Sequence, residues 1–370
     1  MKSSATTVPE LDNHSVPQRF IRVRLTWASY WMLGYFAFLE AVLGPLMPFI
    51  RGDLHLNYLL ASLHFSAFAL GAMAMGAMGD RLTHWWGRRA SFWGGGVGMA
   101  AGAALLALSP SAVGTIAGAF LMGLLGNLLL ITIQAALADH HAAWSPVALT
   151  EANVAASGFA LLASVSVGAI TGIGWSWRLT LVVALALLAV AGARYHAVRF
   201  PMKTATSPAE AHLTPKNQAR PRRAFWAYWW LLALETGVEW SVVYWGASFL
   251  ATHAGFTNAD AATATGALFL AMLFGRYAGS RLARRFSGLV ILVASLAIAL
   301  VGFPIFWLVP VPLLRVFGLF VVGLGLANVY PLSIALASRT MPDQSDRASA
   351  RLSIAAALSA LLAPFALGAL

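Results

Sequence analysis

Cysteine is absent from the 370 residues, which removes disulfides, thiol catalysis and Cys-ligated metals. Charge is scarce: Asp, Glu, Lys and Arg make up 10% of the chain against 59% hydrophobic residues. A soluble protein of this size needs far more charge to cover its surface. Lysine is nearly missing. Lys2, Lys203 and Lys216 all lie in polar stretches, so no apolar run holds a lysine for a retinal Schiff base. There is no Gly-rich loop ending in Lys-Ser/Thr, the feature that ATP-driven machinery would need. The N-terminal MKSSATTVPELDNHSVPQRFIRVR has no apolar core, so it is not a cleavable signal peptide. It reads as a polar cytoplasmic tail, residues 1–24.

What is plentiful is apolar sequence. Runs of about 20 hydrophobic residues recur along the whole chain and predict an all-α protein embedded in a lipid bilayer. Eleven spans are expected, at 25–50, 57–79, 90–109, 112–138, 147–172, 176–197, 224–251, 259–283, 287–309, 311–337 and 346–370. Short proline-bearing links separate them, such as LSPSA at 108–112. One link is long: residues 198–223 are polar, basic and proline-rich, and divide a six-span half (25–197) from a second half (224–370). The second half shows five spans, so a missing twelfth is expected.

The formal charge of +11 would suggest nucleic acid in a soluble protein. Here it follows the positive-inside rule. With the N-terminus inside, all but Arg51, Arg178 and Arg315 of the 24 basic residues fall on one side. That side includes the 80–89 loop, the linker, the 276–285 loop and the 339–351 loop. The expected setting is a multi-pass membrane protein, a monomer, with no nucleic-acid partner.

The halves also share a motif. GDRL at 79–82 ends the second span and GSRL at 279–282 ends the eighth; each precedes paired arginines, Arg88-Arg89 and Arg284-Arg285. A repeat at six-span spacing is the trace of a duplicated transporter.

Three carboxylates lie well inside spans: Glu40 in the first, Glu235 and Glu239 in the seventh. An ionised carboxylate at mid-bilayer costs about 2.5–3.5 kcal/mol on insertion scales, so such residues face protein or a wet cavity. Four residues apart, Glu235 and Glu239 share a helix face about 6 Å apart along the axis. A carboxyl held there and able to exchange a proton is what proton coupling needs, with Glu239 as first choice and Glu235 orienting the solute. Sodium is the other ion such oxygens suit, and a purely structural hydrogen bond is the bland alternative. Gly237 between the acids would permit bending. Asn127, Gln134, Asn328 and Tyr330 are the other polar groups at depth, with Trp240, Tyr244 and Trp245. Amides can read hydroxyls on a solute, and aromatics with polar tips suit a sugar-like or amphipathic one. Equally, amides can bond neighbouring helices and aromatics can form an interfacial belt. His64 is expected to pack or to pair with Glu40. His140 and His141 with Asp139 are the only metal candidates, and no further ligand is near; no metal and no cofactor are expected.

At the 76–89 stretch the chain resembles the major facilitator superfamily. That family's inner-loop motif would here be Gly76, Asp80, Arg81, Gly87, Arg88 and Arg89. The stretches GPLMPFI at 44–50, EANVAAS at 151–157, VEWSVVYWGASFL at 238–250 and GLANVYPLSIALA at 325–337 are similar to its bacterial fucose-permease-like branch. The resemblance spans nearly the whole chain. It implies two pseudo-symmetric six-helix bundles around a central cavity, alternating access, and residence in a bacterial cytoplasmic membrane. Independently of the resemblance, Asp80 beside Arg81, Arg88 and Arg89 at helix ends can bridge to the other bundle and gate the cytoplasmic side, with the exposed N–H groups at the start of the eleventh span near Ser345 and Asp346 as partner; the bland alternative is that these charges only fix topology. One departure is the longer gap from Asp80 to Gly87, where THWW adds a helical turn or a membrane-surface foot of Trp85 and Trp86. The function expected is secondary transport of a small polar solute with protons or sodium, uptake of a sugar-like solute being favoured. Proton-coupled export of drugs is the rival, although the fifth span carries glycines and no proline. A channel or a membrane enzyme is the alternative of another class.

Overall fold

The computed structural model describes residues 20–200, 223–340 and 345–370, without the side chains of Asp80, Ala143, Ser338 and 345–350. Among these residues there is no strand. The first half comprises α1 (Arg24–Ala41), α2 (Leu43–Leu54), α3 (Tyr58–Trp86), α4 (Arg88–Leu108), α5 (Ala112–His141), α6 (Ser145–Gly172) and α7 (Arg178–Tyr195). The second comprises α8 (Arg223–His253), α9 (Asn258–Leu282), α10 (Gly288–Leu308), α11 (Pro312–Leu326), α12 (Val329–Thr340) and α13 (Ser345–Ala369).

Two pairs form single bent rods, and proline explains both bends. Pro45 and Pro331 have no N–H, so the carbonyls of Ala41 and Ala327, four residues earlier, lose their helical donors. The breaks fall there: α1 ends at Ala41 and α11 ends at Leu326. With each pair counted as one rod, the described residues hold eleven membrane-length rods, matching the eleven apolar runs. Ten are long and apolar enough to cross a membrane. The other, α8, is diluted by Glu235, Glu239 and its tryptophans. The helix is not interrupted at Gly237. α8 runs unbroken past it, and the missing side chain lets α13 approach, since a Cβ there would meet Ala363 Cβ at 3.2 Å. α3 does continue through THWW to Trp86 and stops at Gly87, whose φ of +80° suits glycine. Trp85 and Trp86 are exposed in the last turn of α3.

The internal repeat extends well beyond GDRL and GSRL. A Cβ at Gly102 would strike Met122 N, and one at Gly302 would strike Val322 N. Gly118 abuts Leu106 as Gly318 abuts Phe306, and Gly123 abuts the Phe68 carbonyl as Gly323 abuts that of Leu268. All three pairs keep the same sequence offset. Small residues let the α4–α5 and α10–α11 backbones close on each other where the lipid provides no hydrophobic drive.

Each half therefore packs as a bundle, and the bundles meet along α6–α9, α2–α8 and α3–α13. The turns at 55–57, 109–111, 173–177, 254–257 and 309–311 form one end of the molecule, called here the far end. Phe20, Gly87, Ala142 and Phe286 mark the tail end. Close seam contacts crowd the far half. Gly44 lies against the Val243 carbonyl, Gly168 against Thr263 and the Ala259 carbonyl, and Gly368 against Ser62 and the Tyr58 carbonyl. The far end is closed.

Candidate functional site at the seam between the bundles

Glu40 and Glu239 each lie at the middle of the first rod of their half. The bend after Ala41 turns the chain immediately beyond Glu40, and α8 carries Glu239 on the face turned to the seam. Both are half-buried. Glu235, one turn towards the tail end, is 5% exposed; its Oε2 accepts from Thr236 Oγ1 at 3.3 Å, while Oε1 has no partner. Glu235 and Glu239 lie one helical turn apart on α8, and the charge of Glu239 bears on both Glu235 and Glu40. The three acids form one electrostatic group, built from both bundles.

The group includes a cation that the sequence reading placed in a cytoplasmic loop. Arg276 is helical, inside α9 and six residues short of its end. The 276–285 loop is accordingly shorter than expected, beginning at Ala283. Arginines at the ends of apolar runs look alike in sequence. Only the helical register shows that Arg276 faces the seam while Arg281, Arg284 and Arg285 are exposed at the tail end. Arg276 Nη1 donates to Ser157 Oγ at 2.6 Å and to the Asn153 carbonyl at 3.3 Å, both on α6 of the other bundle. It is also within charge reach of Glu239 and Glu235. Sequence reasoning missed Arg276, Asn153 and Ser157. The EANVAAS stretch was the available signal, since a serine four residues after an asparagine repeats one helix face.

Tyr330, just beyond the α11–α12 break, completes the cluster: it is 37% exposed and within charge reach of Glu235 and Glu239. Trp240 stacks obliquely on Tyr244 at 5.2 Å. Tyr244 and Trp245 also make contacts towards the far end. Phe65 of α3 lies flat on Tyr244 at 4.2 Å and edge-on to Trp245 at 5.4 Å, and Tyr58 meets Trp245 at 5.7 Å. Trp245 Nε1 donates to the Pro364 carbonyl at 2.8 Å. These rings plug the seam above the acids.

Asn127 and Asn328 act alike in the two halves. Asn127 Nδ2 donates to the Ala72 carbonyl at 2.7 Å, and Asn328 Nδ2 to the Gly275 carbonyl at 2.9 Å. Each ties the fourth rod of its half to the second. Gln134 is exposed, two turns from Asn127 on the same helix. His64 does not pair with Glu40; its Nε2 lies 2.8 Å from Thr115 Oγ1, tying α3 to α5.

The tail-end arginines bind within their own half. Arg88 pairs with Asp139, and Arg89 Nη2 donates to the His196 carbonyl at 2.7 Å. Arg81 is exposed. The Asp80 side chain and those of Ser345 and Asp346 lie outside the described residues. Asp139 being engaged by Arg88 and His141 Nε2 lying 2.8 Å from Thr26 Oγ1, the Asp139–His141 stretch is not gathered around a common point. Among the described residues no three His, Cys, Asp or Glu side chains converge as a metal site.

Comparison with known proteins follows this geometry. The family profile described as Major Facilitator Superfamily matches residues 29–364. A comparison with curated proteins finds no match. Among solved structures, a bacterial homologue of the human lysosomal transporter Spinster, inward-facing and occupied, superposes with a TM-score of 0.72 at 16% identity. It covers 93% of this chain and 80% of its own. The nucleoside transporter NupG gives 0.73 at 12% identity, covering 94% of this chain and 90% of that one. A D-xylose–proton symporter gives 0.72 at 14%, covering 93% and 88%.

Proposed function

Because the chain belongs to the major facilitator superfamily, we propose that this transporter moves a small polar solute across a membrane together with protons. Glu239 is the proton carrier in this reading. The observation that carries the proposal is the placement of Glu239. It stands half-buried at mid-rod, on the seam, within reach of Glu235, Glu40 and Arg276. A carboxylate there meets two like charges and one opposite charge. Its protonation therefore changes the balance between the bundles, which is how an ion gradient drives alternating access. Sodium is the competing ion for the same oxygens.

The solute side of the cavity is assigned to Trp240, Tyr330 and Gln134, with Glu235 orienting the solute. Ring faces and hydroxyl-reading groups suit a sugar or a nucleoside. The fold shared with a xylose–proton symporter and a nucleoside transporter supports that class. The tail end, with the basic residues, faces the cytoplasm of a bacterial cell in this proposal, and the present far-end closure is then the inward-facing state. Asp80 belongs to the cytoplasmic gate.

Reconstitution into liposomes tests the proposal. An imposed pH gradient should drive accumulation of a pentose, hexose or nucleoside above equilibrium, and a sodium gradient alone should not. Accumulation that follows sodium and ignores pH overturns proton coupling.

A further inference from the structure

The groove between the tail ends of α8 and α13 has a counterpart in the first half, and the two carry opposite charge. Trp27 and Tyr30 of α1 match Trp226 and Trp229 of α8, in the register that matches Glu40 to Glu239. Glu151 and Val154 of α6 match Arg351 and Ile354 of α13, in the register of the paired glycines. The rings repeat as well: Trp27 meets Tyr30 edge-on at 5.8 Å, and Trp226 meets Trp229 edge-on at 5.9 Å. In the first half the chain neutralises the groove itself. Tyr30 Oη donates to Glu151 Oε2 at 2.9 Å, and Arg22, ahead of α1, donates to the same oxygen through Nε at 2.7 Å. In the second half Trp229 Nε1 donates to the Arg351 carbonyl at 3.1 Å. The place of Glu151 is thus taken by a cation, and among the described residues no carboxylate pairs with it. Beside it lies a cleft of about 420 Å³ lined by Trp226, Trp229, Arg351 and Ile354. We infer that this cleft binds an anionic phospholipid from the leaflet at the tail end, with its phosphate between Arg351 and Arg223 and its chains along α8 and α13.

The occupant follows from the layout of polarity. Arg223 stands three residues before Trp226, and Arg351 three before Ile354. On both helices, therefore, an exposed arginine lies one turn nearer the tail end than an exposed apolar wall. Trp230 and Leu234 continue that face along α8, and Leu358 and Leu362 continue it along α13, all exposed. Cations at headgroup level above apolar ridges that run into the hydrocarbon match an amphiphile with an anionic head. A free phosphate would use the arginines and leave the ridges bare. A zwitterionic lipid would bring its own cation against them. α8 begins at Arg223, so the unpaired N–H groups of its first turn add to the positive potential. The sequence leading into α8 supplies no substitute: it carries Lys203, Lys216, Arg220 and Arg222 against Glu210 alone. The headgroup fastens α8 to α13, the task that Arg22 performs between the segment before α1 and α6. None of this depends on the solute or the coupling ion.

Native mass spectrometry of the full chain in detergent tests the inference, with phosphatidylglycerol as the probe and phosphatidylcholine of the same chains as the comparison. The parent protein should keep one phosphatidylglycerol at concentrations that leave no phosphatidylcholine bound. Arg351→Gln should weaken retention about fivefold, the worth of one basic side chain at an anionic headgroup. Arg351→Glu, which copies the charge of the first half, should abolish it. Ile354→Ser keeps both arginines and should also weaken it, because the chains lose part of their wall. Arg285→Gln, at the same end but outside the cleft, should leave it unchanged. All three positions are exposed, so none of these changes disturbs the packed interior. Equal retention of the two lipids, or parental retention in Arg351→Glu, overturns the inference. So does an equal loss in Arg285→Gln, which would make the attraction a property of the whole basic end. Displacement of the lipid by millimolar inorganic phosphate would give the arginines to a free anion. A dimer that forms without lipid and is lost in Ile354→Ser would give the cleft to a second copy. Either result also overturns it.

Discussion

Glu40 and Glu239 occupy matching positions in the two halves, each at mid-rod and each on the seam. Their charges reach one another across it. Duplication has thus set an acid from each bundle against its counterpart, with Glu235 added on one side only.

The Glu239→Gln variant keeps shape and removes ionisation. In proteoliposomes its pH-driven accumulation should fall to the equilibrium level, while exchange of labelled for unlabelled solute persists. Glu40→Gln should weaken the pH dependence without eliminating it, because Glu40 acts on Glu239 through charge alone. If accumulation stays intact in Glu239→Gln and is lost in Glu40→Gln, the roles are reversed.

The far-end closure depends on glycines that have no room for a side chain. A Cβ at Gly168 would overlap Thr263, and one at Gly44 would overlap the Val243 carbonyl. Gly168→Val should therefore disfavour the closed far end and enrich the conformer open on that side. Paired labels at His55→Cys and Asn258→Cys, both exposed there, should show a longer mean distance than in the parent protein. No change would mean the seam tolerates the added volume.

Asn127→Ala and Asn328→Ala each delete one bond to a neighbouring backbone carbonyl. Such bonds are worth about 0.6 kcal/mol on average in membrane helices. Each variant should show a small drop in thermal stability and the double variant a roughly additive one. An accompanying rise in KM for solute would show that the Oδ1 of that residue also contacts it.

Sidedness can be read with two cysteines, at Asn258, the first residue of α9, and at Arg284, two residues past its other end, both exposed. In intact cells an impermeant maleimide should label Asn258→Cys only. Labelling of Arg284→Cys alone would invert the orientation.

The rods were legible because lipid leaves little freedom: each run must be long, apolar and helical. The acids were legible because charge in such runs is costly and so conspicuous. α8 shows the limit of hydropathy, since its glutamates and indoles lower the mean while the helix stays unbroken. Arg276 was illegible for a related reason. It stands near three arginines that do sit at the tail end, and a charge count assigns all four to one loop. Its bonds to Ser157 and Asn153 link residues more than a hundred positions apart, which no local periodicity encodes. The two breaks were marked by Pro45 and Pro331, but Pro48, Pro304 and Pro364 lie inside helices that continue, so proline alone did not reveal them.

Those two breaks also leave bare backbone oxygens close to the seam cluster. Ala41 and Ala327 each present a carbonyl whose helical donor is missing. One is adjacent to Glu40 and the other is three residues before Tyr330. In hydrocarbon an orphan carbonyl costs several kcal/mol, so each needs a donor from elsewhere. Water that solvates these oxygens would sit beside the carboxyls throughout the cycle, whether or not a solute is bound. In the proton-coupled reading proposed above, such water would give Glu40 a standing partner for proton exchange that does not depend on the solute.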